Sequence, residues 1–186
     1  TDTRGLLAAY DDQLRTAAET PGATAVSLHG PLRLVTFRGG RGFVTYRDLA
    51  GADADAIGRL VAHAVAYYRA DPDIVRVEWK RRGHDAAPGL HESLLRNGFV
   101  AGEQESIMIG EARLLAVDVE LPEGVRLRTV TEESDVRAMS AMADEVFGDP
   151  PSEQAANALL HRLARNDGLQ LWVAEFEGHV VSTGRL

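Results

Sequence analysis

The sequence predicts an α/β (α+β) protein with a mixed, mainly antiparallel sheet flanked by helices, and three observations lead there. Apolar residues recur at helical spacing in some stretches and at strand spacing in others. Glycine and proline pairs mark the changes from one to the other. The 186 residues are 45% hydrophobic, which suffices to bury a core in one domain or in two small ones.

Taken in order, Leu6, Leu7, Tyr10, Leu14 and Ala17 share one side of a first helix, Leu6 to Glu19, which Pro21-Gly22 ends. Three β-rich runs follow, Thr24 to His29, Leu32 to Phe37 and Phe43 to Leu49, separated by Gly30-Pro31 and by Gly39-Gly40-Arg41-Gly42. They predict an antiparallel meander, with the glycine run as a hairpin turn, since it opens no helix in the way a phosphate loop would. Ile57, Leu60, Val61, Ala64, Val65 and Tyr68 then give the clearest helical stripe, with aspartates at its start. Ile74 to Trp79 predicts a strand, Leu90 to Leu95 a helix stopped by Asn97-Gly98, and Phe99-Val100 with Ser106 to Ile109 a closing β pair.

Residues 111–125, holding Pro122 and Gly124, predict a linker with an extended run from Leu114 to Val119, so that 1–110 and 126–186 form separate modules. In the second module Arg126 to Val130 predicts a strand, and Thr129 to Glu132 offers a capping box for a helix carrying Val136, Met139, Ala143 and Val146. A second helix from Ser152 to Arg165 ends at Asn166-Asp167-Gly168. Leu169 to Phe176 and Val180 to Leu186 then predict a hairpin around Glu177-Gly178.

Charge and composition narrow the function. A net charge of -8 opposes binding to nucleic acid phosphates. No apolar run reaches the roughly 20 residues that a membrane helix requires, and no signal peptide is visible, so a cytoplasmic protein is expected. The absence of cysteine excludes a disulfide scaffold, a thiolate zinc site and a cysteine nucleophile.

The stretches LRTVTEESDVRAMSAMADEVFG and LWVAEFEGHVVSTGRL resemble the opening half of a GNAT-superfamily N-acetyltransferase domain. Arg128, Thr131 and Asp135 match its "R-x-x-T-x-x-D" opening loosely, and Trp172 to Val181 match its "W-V-A-E-x-x-G-x-V-V" hairpin closely. In the first module, IVRVEWKRRGHDAAPGLHESLLRNGFVAGEQESIMI is similar to the closing half of such a domain, with Leu95, Gly98 and Phe99 carrying its "L-x-x-x-G-F" step. The resemblance implies a tandem protein in which an amine attacks the acetyl-CoA thioester directly. A base removes the proton, a backbone amide steadies the oxyanion, and the CoA pyrophosphate rests on a helix N-terminus. The implied partner is a small-molecule or protein amine acceptor.

The sequence also departs from that pattern. In the family the pyrophosphate loop reads R/Q-x-x-G-x-G/A, whereas the loop from Leu49 to Ala56 in the first module carries Asp53 and Asp55, which oppose an anion. The first module is therefore expected to be degenerate, and the second, reaching Leu186 just after its hairpin, to be an opening half with its own loop outside the sequence. On that expectation the 186-residue chain is inactive by itself, does not bind acetyl-CoA tightly, and self-associates through the sheet edge at Val180 to Leu186. The alternative is a non-enzymatic pseudo-acyltransferase that binds a partner.

Four residues are candidates for substrate contact. Glu145, Phe147 and Asp149 lie where the family's acceptor-lining loop would be, against the alternative of a helix cap and a core aromatic, and Glu175 lies on the hairpin. Trp172, Ala174 and Phe176 share a strand face that predicts core. His84, Asp85, His91 and Glu92 fit no zinc spacing, His161 and His179 stand alone, and Ser182 lacks a nucleophile elbow; no metal is expected.

Overall fold

The computed structural model describes residues 2–147, 151–166 and 168–186. It is a mixed α/β protein with two separate sheets, and it divides into the compact units Thr1–Ala116 and Val117–Leu186. Among the described residues no helix is long and apolar enough to cross a membrane.

The first unit begins with α1 (Thr3–Ala9), capped by Asp2. The single helix expected over Leu6 to Glu19 is instead three pieces: α1, a π turn at Tyr10–Leu14 and a 3-10 turn at Ala17–Glu19. The reason lies in Arg15, whose backbone leaves the helix so that its guanidinium can reach the Tyr46 carbonyl, while Leu7 and Leu14 stay exposed. Strands β1 (Ala25–His29), β2 (Leu32–Phe37) and β3 (Arg41–Thr45) form the antiparallel meander. Gly39 and Gly40 of the glycine run lie in its hairpin turn, while Arg41 and Gly42 already belong to β3. Gly40 has φ 73, and a Cβ there would lie 2.2 Å from the Asp73 carbonyl oxygen.

Helix α2 (Ala54–Arg69) crosses from β3 to β4 (Arg76–Trp79), which lies parallel to β3. Its apolar stripe buries Ile57, Val61, Ala64 and Tyr68 against Leu32, Leu34 and Val44 of the sheet, each large side chain contributing about 1.5–3 kcal/mol. Gly42 is required there, because the Tyr68 ring passes where a Cβ would stand, and the Tyr68 hydroxyl donates to the carbonyls of Val35 and Phe43. Burial pushes that phenol up to about 12. Helix α3 (Leu90–Arg96) adds Leu90 and Leu94 to the core. It ends in a Schellman turn, with the N–H groups of Gly98 and Phe99 donating to the carbonyls of Leu95 and Leu94.

Two expectations fail beyond this point. No strand forms between Phe99 and Ile109: Val100 is 91% and Met108 94% exposed, and a Lys80–Glu105 ion pair at 3.5 Å tethers the stretch. Alternating Ile107 and Ile109 carry β propensity, but propensity needs a paired neighbour to become a strand. The run from Leu114 to Val119 is not extended throughout, because Ala112–Leu115 forms a short helix, α4.

In the second unit β5 (Val125–Val130) pairs antiparallel with β6 (Leu171–Phe176), and β6 with β7 (His179–Arg185). The β6–β7 turn has φ 50 at Glu177 and φ 80 at Gly178, the two positive values of a type I′ hairpin. Helices α5 (Glu133–Phe147) and α6 (Glu153–Arg165) bury Val136, Met139 and Leu159 against Val130, Leu171 and Val173. Ser152 caps α6 at its start, and Asn166 closes it in the left-handed region. The core face of β6 is thus the opposite of the one expected: Leu171 and Val173 are buried, while Trp172 is half-buried and Phe176 is 40% exposed. A strand's faces alternate, and here helices cover only the Leu171 side.

Candidate functional site

In the second unit the register sets Arg128 of β5 beside Val173, two residue pairs along the ladder from Arg126 and Glu175 and on the same face. From there its guanidinium forks. Nη1 and Nη2 donate to Asp135 Oδ2 and Oδ1 at 2.5 and 3.1 Å, in the first turn of α5, and Nε donates to Glu175 Oε2 at 2.8 Å on β6. Hydrogen bonding to Asp135 first, then to Glu175, raises the Arg128 pKa, and the bond from Arg128 holds Asp135 below its ordinary 3.8. Beside the fork, Gly124, Arg126, Glu175, Glu177 and Gly178 line an open depression of about 310 Å³.

The structure thus gives Glu175 a defined partner and a place on a concave surface. It separates Glu145 from it. Glu145 is exposed on α5, ten residues beyond Asp135, which is about 15 Å along a helix axis. Asp149 and the side chain of Phe147 lie outside the described residues. A residue that sequence reasoning missed stands close by: Asp144 accepts the Ser152 N–H at 2.7 Å and lines a smaller hollow of about 90 Å³ with Arg137, Ser140 and Ser152. Only the acidic residue before Glu145 could have signalled it.

The corresponding helix start in the first unit is closed. The Asp53 carboxylate accepts the Ala56 N–H at 2.8 Å, the Asp53 carbonyl accepts from Ile57 at 2.9 Å, and Asp55 adds charge in the first turn. An amide that an anion would need is already taken, by an anion. The loop before it is also self-satisfied, with Asp48 accepting the Ala50 N–H at 2.8 Å.

The largest polar assembly in the first unit was illegible in the sequence. Arg15 pairs with Asp85 at 2.8 Å and Asp11 at 3.0 Å and donates twice to the Tyr46 carbonyl. Tyr46 donates its hydroxyl to Asp85 at 2.8 Å, and burial, then Asp85, raises its pKa. Arg82 donates to Tyr10, Thr45 and Glu19, and His84 stands 3.0 Å from Asp11. Asp85 therefore serves an ion pair and His84 a hydrogen-bonding contact with Asp11, while His91, Glu92, His161, His179 and Ser182 are exposed. Among the described residues no group of three or more metal-ligating side chains stands together. No protein family, no curated protein and no solved structure matches the chain.

Proposed function

We propose that the chain serves an acetyl-CoA-dependent N-acetyltransferase in which the second unit supplies the amine-acceptor side and the first is a catalytically silent copy. The observation that carries this reading is the Arg128 fork. One guanidinium ties Asp135, from the stretch that resembles the family's opening, to Glu175, from the stretch that resembles its hairpin. The two patterns behind the resemblance are thereby parts of one construction.

In this reading the amine nitrogen bonds to the acetyl carbon of acetyl-CoA, the CoA thiolate leaves, and the proton lost by the nitrogen passes to a base. Acetyl-CoA is a co-substrate, and no metal takes part. Glu175, fixed by Arg128, and Glu177 give the depression two carboxylates that attract a protonated amine and hold it by hydrogen bonds. A small-molecule amine or a protein amine meets that requirement equally.

The test is the release of free CoA thiol when the natural full-length protein meets acetyl-CoA and a panel of primary amines. Amine-dependent release that falls in Glu175→Gln is expected. A panel yielding no acetylated amine would remove the proposal.

The helix start at Asp53 favours a second reading, that the whole protein is a non-enzymatic pseudo-acyltransferase that binds a ligand or partner. A carboxylate bonded into the place of a pyrophosphate suits a binding or structural role. In that case the full-length protein stays without transferase activity whatever the amine.

A further inference from the structure

Residues 2–20 lie on the first unit without joining its apolar core: none of the side chains that form the core cluster precedes Leu32, and α1 buries no residue. Tyr10 is the segment's one buried hydrophobic side chain, set against Arg82 and His84, and charges hold the rest. Arg15 reaches Asp85, Glu19 reaches Arg82, and Arg82 Nε donates to the Tyr10 hydroxyl at 3.1 Å. The anchor points are Thr45 and Tyr46 on one side and Arg82 and Asp85 on the other. They stand at or just past the carboxyl ends of the parallel strands β3 and β4, the end at which open α/β sheets take their ligands.

The chemistry at Arg82 is that of an occupied anion site. Its side chain is 3% exposed, yet Glu19 is the one carboxylate on its guanidinium among the described residues. One oxygen of Glu19 accepts from Arg82 Nη2, and the other accepts from the Thr45 hydroxyl at 2.6 Å. Arg82 Nη1 in turn donates to Thr45 Oγ1 at 3.0 Å. Next in the chain, Thr20 is buried with its hydroxyl unpartnered. Two donors on two oxygens are what a bound carboxylate or phosphate would receive. The segment that brings Glu19 there contains the π turn at Tyr10–Leu14, a feature frequent at functional sites.

We propose that Arg82 and Thr45 form a binding site for a compact oxyanion, the carboxylate or phosphate group of a small ligand. Glu19 fills the site from within the chain, and residues 2–20 are the strap that lifts when the ligand enters. The proposal does not rest on the acyltransferase reading.

The experiment removes the internal occupant and supplies an external one. Glu19→Ala leaves Arg82 buried and unpaired, so it melts below the wild type in chloride. At matched ionic strength, inorganic phosphate or acetate restores part of the lost melting temperature in Glu19→Ala, has no such effect on the wild type's melting, and does nothing for Glu19→Ala/Arg82→Met. A response to phosphate alone identifies a phosphorylated ligand, and a response to acetate alone a carboxylate. Equal melting of Glu19→Ala in all three salts, or a recovery that persists without Arg82, overturns the proposal. A variant that folds in none of the three overturns it as well, because an accessible site would have been refilled. In the wild type the rescuing anion at high concentration accelerates hydrogen exchange across residues 2–20, and unchanged exchange there refutes the strap.

Discussion

Each unit joins an arginine to two carboxylates, and the two arrangements differ in burial. In the first unit Arg15 and Asp85 are 2% and 5% exposed; in the second Arg128 and Asp135 are 38% and 31% exposed. The contacts are otherwise alike: short and charge-assisted, with one carboxylate near in the chain, Asp11 or Asp135, and one far from it, Asp85 or Glu175. The difference teaches that the same chemistry does two jobs. In the dry site an arginine cannot lose a partner without standing uncompensated in a poor solvent, so the network fixes residues 2–20 to the body of the unit. In the wet site water can replace either partner, so the fork orients Glu175 while leaving it open to an arriving ligand.

The largest effect should follow from Asp85→Ala, which leaves the buried Arg15 with only the more exposed Asp11 as a carboxylate partner and takes the acceptor from the Tyr46 hydroxyl, at a cost of about 3 kcal/mol. The chain has two tryptophans, Trp79 in the first unit and Trp172 in the second, so urea unfolding followed in Trp172→Phe and Trp79→Phe backgrounds assigns the loss. The account predicts that the Trp79 transition moves and that the Trp172 transition holds.

Next in size is an alkaline effect. The Tyr68 phenol is held at about 12 in the folded state against 10.0 unfolded, so the folded state keeps a proton that the unfolded state loses between those values. Stability contributed by the protonated phenol is complete below pH 10 and is lost as pH rises through about 12, a fall of about 2–3 kcal/mol. Tyr68→Phe starts from a lower stability, having lost its bonds to Val35 and Phe43, but the alkaline slope of its Trp79 transition is shallower, the remainder belonging to the raised phenol of Tyr46.

Arg128→Met should have a smaller effect, confined to the Trp172 transition. Asp135 is depressed below 3.8 in the folded state, so the stability its pairing supplies is present above the unfolded value and is lost as pH falls through the folded one. The gap between wild type and variant therefore closes in acid. A gap that is constant with pH would show that Arg128 acts through packing instead. Smallest, and of opposite sign, is Glu177→Asn. Asparagine tolerates the positive φ of this turn better than glutamate, so the Trp172 transition should move up by about 0.5–1 kcal/mol.

What the sequence revealed follows the range of the interactions. The α2 stripe, the Asn97-Gly98 stop, the glycine turn and the Glu177-Gly178 hairpin are written in residues a few positions apart, where spacing and φ preference decide the outcome. The break of the first helix at Arg15 depends on Tyr46 and Asp85, 31 and 70 residues away, which no local pattern records. The face of β6 that becomes core depends on which side α5 and α6 cover, and both faces of that strand carry apolar residues. Ile107 and Ile109 show the converse, a strand-like alternation that finds no neighbour. At the candidate site Glu175 was legible as a strand carboxylate in a recognisable hairpin. Its partner Arg128 was legible as part of another motif, but their union was not.

The central proposal is that the two units are unequal, the first taking no part in binding acetyl-CoA and the second serving acyl transfer. Isothermal titration of acetyl-CoA into the natural full-length protein, beside an Asp53→Asn variant, tests it most directly. The account predicts a single site per chain, with affinity unaltered by Asp53→Asn because α2 of the first unit takes no part. Two sites per chain, no site, or a single site whose affinity changes with Asp53 would contradict it.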